Sequence, residues 1–256
     1  MTALFGLEYL IETELDTIYT THNELKGIAK NFPEIIDTLL KLTNFCGKLE
    51  DVNTNIGVFQ LFCYENYTQA PYTFWVIYNL YEKGHYLEAI AFIRNVLETF
   101  VQMKYFHKYP HKLHDHILET KIVRCKDMFD EFSVGYYKRY YGKQLCAATH
   151  GSMLLKDILR FDRSSQSDKK AIKGCKYNEI FATYIVNSMA PLLYGFLNHF
   201  EIYFPSNSIP ADEEICYMIS KAESWLLEMM IAHKKISPPD AAEWFNHIGN
   251  FVYLKM

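Results

Sequence analysis

Apolar residues recur along most of this chain with a period close to that of an α-helix. Through 3–30 the positions Leu4, Leu7, Leu10, Ile11, Leu15, Ile18, Leu25 and Ile28 carry the pattern. They predict one long helix or two, interrupted near Thr20-Thr21-His22-Asn23. Asn31 suits an N-cap, with Pro33 and Glu34 in the first turn of a helix that stops near Gly47. The polar run 50–57 has no apolar period. It marks a boundary between an N-terminal helical hairpin over 1–50, packed on the body, and a main helical domain over 58–256.

Helices follow over 58–69, over 72–82 after Pro71, and over 85–108. Pro110 closes the last of these, because the residue before a proline disfavours helical geometry. Past a charged segment at 111–132, the pattern resumes over 134–149, 152–160, 177–203 (kinked or broken at Pro191), 211–234 and 239–254. Nowhere do β-branched residues alternate with polar ones between hairpin turns. The expectation is an all-α multi-helix bundle of about nine or ten helices, forming one continuous unit around a central buried helix near 85–108.

That central helix is apolar on nearly every side, through residues such as Leu87, Ile90, Ile93, Val96, Phe100 and Met103. A helix hydrophobic all round is packed on several faces. Into it the sequence sets Arg94 and, one turn later, Glu98, which share a face and can pair. The pair is either a structural staple or part of a site.

Composition adds a globular balance: 50% hydrophobic, 22% charged, with Tyr 20 and Phe 18 for aromatic packing. The start lacks a basic region ahead of an apolar run, and six scattered cysteines show no CxxC, so the expected setting is a reducing cytoplasm. The most apolar window, near 180–200, contains Asn187, Ser188, Pro191, Asn198 and His199, which reads as a buried helix and not a membrane span. Net charge is −4, yet 104–176 holds 16 Lys and Arg against 8 Asp and Glu, leaving 10 against 22 elsewhere. A basic middle could meet a phosphate-bearing or acidic partner, or could be a solvated helical face.

Three clusters could carry chemistry. His107, His111, His114 and His116 suggest a metal site, although Pro110 parts the first two and no Cys or acid completes the spacing. Cys146 and His150 stand at i, i+4, as a thiol nucleophile and base would, but nothing supplies an orienting group. Tyr136 to Lys143 interleaves tyrosines with cations; Lys138, Arg139, Tyr140, Tyr141 and Lys143 could stack bases and hold phosphates, or face inward and snorkel.

The Arg94-x-x-x-Glu98 helix together with the later Tyr141-x-x-x-Leu145-x-x-x-x-His150-Gly151-Ser152 segment resembles bacterial all-helical proteins related to HEPN-like domains, over about 58–200. That resemblance implies either a ribonuclease of phage-defence or toxin–antitoxin systems or a non-catalytic binding relative, usually dimeric. The ribonucleases carry Arg followed by His a few residues on, on one helix. No arginine in the chain from Arg94 to Arg163 has a histidine at that spacing, so His150 would supply the imidazole from elsewhere. Arg could then steady a phosphorane and His transfer a proton.

The expected function is a cytosolic bacterial binding or regulatory subunit, with a protein partner or second copy, RNA as a further partner, no membrane and no cofactor. The alternatives are a metal-independent ribonuclease using Arg94, Glu98 and His150, and a metal-binding protein using the 107–116 histidines.

Overall fold

The computed structural model describes residues 7–24, 28–47, 57–133, 145, 177–205 and 213–236. Among them the protein is all-α: eight α-helices, a short 3-10 turn over Ile28–Asn31, and no strand. The helices are α1 (Leu7–Glu24), α2 (Phe32–Gly47), α3 (Val58–Glu82), α4 (Tyr86–Lys108), α5 (Pro110–Ile117), α6 (Cys125–Phe132), α7 (Glu179–Tyr203) and α8 (Glu213–Ile236). The nine or ten expected is slightly high against these eight. The helices predicted at 134–149, 152–160 and 239–254, and most of the 50–57 boundary, lie outside the described residues.

α4 is central, as its pattern implies. It packs on α3, α7, α6 and α5, and twelve of its side chains are buried, Ile93, Leu97 and Phe100 among them. α3 and α4 form a tight antiparallel hairpin. Gly84 sits at φ 80, and the His85 and Gly84 amides donate back to the Leu80 and Tyr81 carbonyls at 2.8 and 3.1 Å. This left-handed cap suits glycine, since a Cβ would crowd the following carbonyl.

One expected break is absent. Pro71 lies inside a continuous α3 instead of separating two helices. Proline has no N–H to give the carbonyl four residues earlier, which is that of Tyr67. Here the Thr43 hydroxyl, from α2, donates to the Tyr67 carbonyl at 2.8 Å while the buried Pro71 ring stays in the helix. The substitute donor comes from another element, so local sequence did not reveal it. The expected interruption at Thr20–Asn23 is also absent, and α1 continues to Glu24. The hydroxyls of Thr17 and Thr20 bond back to the Thr13 and Asp16 carbonyls within the helix, so they do not compete with its ladder.

The charged segment 111–132, where the sequence marks no helix, holds α5 and α6. Pro110 starts α5, where its missing N–H costs nothing, and Leu113, Met128 and Phe129 anchor the two short helices to the core. α7 runs through Pro191 as one helix capped by Asn178, whose side-chain oxygen accepts from the Phe181 amide at 3.2 Å.

The core is aromatic. Tyr67, wholly buried, meets Phe196, Phe200, Tyr203 and Phe204 edge-on, with centroids 5.3 to 6.4 Å apart. Its hydroxyl donates to the Phe196 carbonyl at 2.6 Å, which locks α3 to α7. Each such edge-to-face pair adds about 1 kcal/mol beyond the area it buries. No helix among the described residues is long and apolar enough to cross a membrane.

Candidate functional site

Arg94 and Glu98 stand on one flank of α4, with Arg94 Nε donating to Glu98 Oε1 at 3.0 Å. Both side chains remain about a quarter exposed, so the pair lies at the edge of the core and not within it. In that setting a single i, i+4 pair contributes about 0.5 kcal/mol. Of the residues singled out beside it, His150 and the Lys138, Arg139, Tyr140, Tyr141 and Lys143 segment lie outside the described residues.

The four histidines of 107–116 do not converge. His107 packs on Phe59 and Tyr203, with centroids 5.4 and 5.5 Å away, and burial lowers its pKa from the usual histidine value. His116 lies against Phe106, and its Nδ1 accepts from the Val123 amide at 3.2 Å. His111 meets the Tyr109 ring edge-on. Among the described residues no three His, Cys, Asp or Glu side chains gather as a metal would require.

The polar residues that do converge were not singled out by the sequence. They line an open groove of about 160 Å³ between α3 and α4. α3 contributes Asn66, Gln69, Ala70 and Thr73; α4 contributes Phe92, Asn95, Val96 and Thr99; Phe196 of α7 completes the wall. Each helix presents positions i, i+3, i+4 and i+7, which make one stripe on a helix surface. Asn66 donates to the Phe62 carbonyl at 2.8 Å and Thr73 to the Gln69 carbonyl at 3.1 Å, and these bonds hold two of the side chains in place. The Gln69 and Asn95 amides each carry donor and acceptor together. With no ionisable side chain in its lining, the groove suits an uncharged guest that exchanges hydrogen bonds at its rim and packs on Phe92, Val96 and Phe196. The signal was present as two matching polar stripes, but only the α3–α4 crossing shows that they face each other.

A second polar feature was also missed. Lys104 is wholly buried on α4, its ammonium over the Phe132 and Phe100 rings at 5.2 and 5.9 Å, and burial lowers its pKa to about 8. Near it, the buried His199 of α7 donates from Nδ1 to the Gly195 carbonyl at 2.9 Å. Burial first, and then the Lys104 charge, push the His199 imidazole down to about 4. A neutral histidine beside a lysine of reduced basicity is a polar seam in the core, joined to the groove wall through Phe100, which meets both His199 and Phe196.

No family model matches the chain, and neither a curated protein nor a solved structure does.

Proposed function

We propose that this chain is a binding or regulatory subunit that holds an uncharged, hydrogen-bonding group of its partner in the α3–α4 groove. The observation that carries this reading is the lining itself. Three amides and two hydroxyls surround an apolar floor, with no side chain able to exchange a proton at neutral pH. Arg94, the cation nearest in sequence, is paired with Glu98 on the helix it shares with Asn95. The HEPN-like resemblance suggests a bacterial defence or toxin–antitoxin assembly as the setting, with the cytoplasm as the compartment.

The test is ligand-observed NMR with a set of neutral amides and nucleobases, matched against carboxylates and ammonium compounds. Neutral members are expected to bind and the charged ones not, with binding lost in Asn95→Leu. The ribonuclease alternative is read on the same preparation. RNA cleavage that disappears in His150→Ala, with the fold retained, would overturn the binding reading.

A further inference from the structure

α1 packs the wrong way round for a helix whose only task is to cover the core. Four i, i+4 ridges run along it. The ridge turned toward the body is hydroxyl-bearing: Thr17 and Thr21 are its buried residues. The ridge of Leu7, Ile11, Leu15 and Tyr19 is left in solvent at 71, 48, 60 and 73% exposure. An amphipathic helix normally buries its aliphatic stripe and exposes its hydroxyls. Here the aliphatic stripe faces outward, while polar bonds hold the helix on α3 and the α3–α4 turn. Glu14 meets His85 at 2.8 Å and Lys83 at 3.4 Å, and His22 meets Glu82 at 2.5 Å. Chiefly the His85 hydrogen bond keeps the Glu14 carboxyl below its usual pKa.

Directly beside the exposed aliphatic ridge runs a third, made of Glu8, Glu12 and Asp16, all exposed. Charge therefore selects among the surfaces that could cover α1. A second copy docking ridge to ridge would bring two such acidic rows together. An anionic lipid surface would be repelled by one. A cationic amphipathic helix answers both rows at once, its aliphatic side chains meeting Leu7, Ile11 and Leu15 and its ammonium or guanidinium groups meeting the acids.

We infer that α1 is a docking helix for a basic amphipathic helix of a partner protein. This rests on the reading of the chain as a binding subunit but uses a surface separate from the groove.

The experiment uses the full chain and a labelled 18-residue peptide with leucines along one i, i+4 ridge and lysines on the ridges flanking it. Its control has glutamates in place of the lysines. The lysine peptide is expected to bind saturably and at least roughly tenfold more tightly than the control, with the difference shrinking as salt rises. Leu15→Asp should weaken that binding by about tenfold or more, the loss of one buried anchor. The triple variant Glu8→Lys, Glu12→Lys, Asp16→Lys should reverse the preference toward the glutamate peptide. Equal binding of the two peptides, or no binding, overturns the inference. So does sedimentation showing a dimer that Leu15→Asp dissociates, or uptake onto phosphatidylcholine vesicles that the same variant abolishes. Fragment binding in the groove is measured separately, so a silent groove with a peptide-binding α1, or the reverse, identifies which of the two readings has failed.

Discussion

Replacing Thr43 by Val would keep the shape of the α2–α3 contact and delete the hydroxyl that donates to the Tyr67 carbonyl at 2.8 Å. Losing one hydrogen bond to a buried carbonyl costs about 1 kcal/mol. Thr43→Val is therefore expected to lower the unfolding free energy by about that much in chemical denaturation. In a Pro71→Ala background the penalty should shrink, because the restored N–H can close the helix ladder. The opposite sign is expected at Tyr203, whose hydroxyl is buried with no hydrogen-bond partner among the described residues. Tyr203→Phe removes a desolvated polar group at constant packing and should leave stability unchanged or raise it by about 1 kcal/mol, read in the same titration. His199 supplies the pH dependence. Its folded pKa, near 4, lies below the ordinary value of 6.5. The unfolded chain thus takes up a proton first as pH falls. Stability is expected to drop between pH 6.5 and 4 by about 3 kcal/mol from this group alone, and His199→Phe should flatten that part of the profile.

At the scale of the elements, the all-α class and the spans of α4 and α7 could be read from the sequence, because an apolar run longer than five turns has few other uses. Misreadings gathered where a local rule was overruled from outside. Pro71 is a helix breaker until Thr43 arrives from another helix. Thr20 of α1 favours a turn until its hydroxyl folds back on the Asp16 carbonyl one turn earlier. Residues 111–132 look solvated because few apolar anchors are needed to fix two eight-residue helices. The candidate site was less legible than the fold. Arg94 and Glu98 were found from their spacing, since both lie on one helix. The groove needs the crossing of two helices, and no period within either one encodes that. α1 makes the same point in energetic terms, because polar bonds hold it. Glu14→Gln should therefore loosen it locally, raising hydrogen exchange across Leu7–Glu24 while the global melting temperature barely moves. For Glu14, with its lowered pKa, this anchoring is present above the ordinary carboxyl range and is lost as pH falls through the folded value.

For the whole molecule, the aromatic seam joining α3, α4 and α7 sets the hierarchy of stability. These helices share the Tyr67, Phe100 and Phe196 contacts, whereas α1 reaches the body mainly through α3. Native-state hydrogen exchange is expected to show α3, α4 and α7 opening only with global unfolding and α1 opening well before. Uniform protection across all four would contradict that order. Both proposed binding surfaces fit this division. The groove lies on the rigid seam, where two helices fix its amides, and the exposed ridge lies on the element most able to adjust to a partner.

The proline inside α3 also constrains the order of assembly. Until α2 is in place the Tyr67 carbonyl lacks the Thr43 hydroxyl, so the nascent segment 58–82 would be two short helical stretches hinged near Pro71. Closing the hinge requires a hydroxyl from a residue more than twenty positions earlier in the chain. Helix growth and tertiary docking are thereby the same event here. An isolated peptide of 58–82 should show a helical content well below that of the same residues within 32–82, and α2 and α3 should appear together in refolding followed by pulse-labelled exchange.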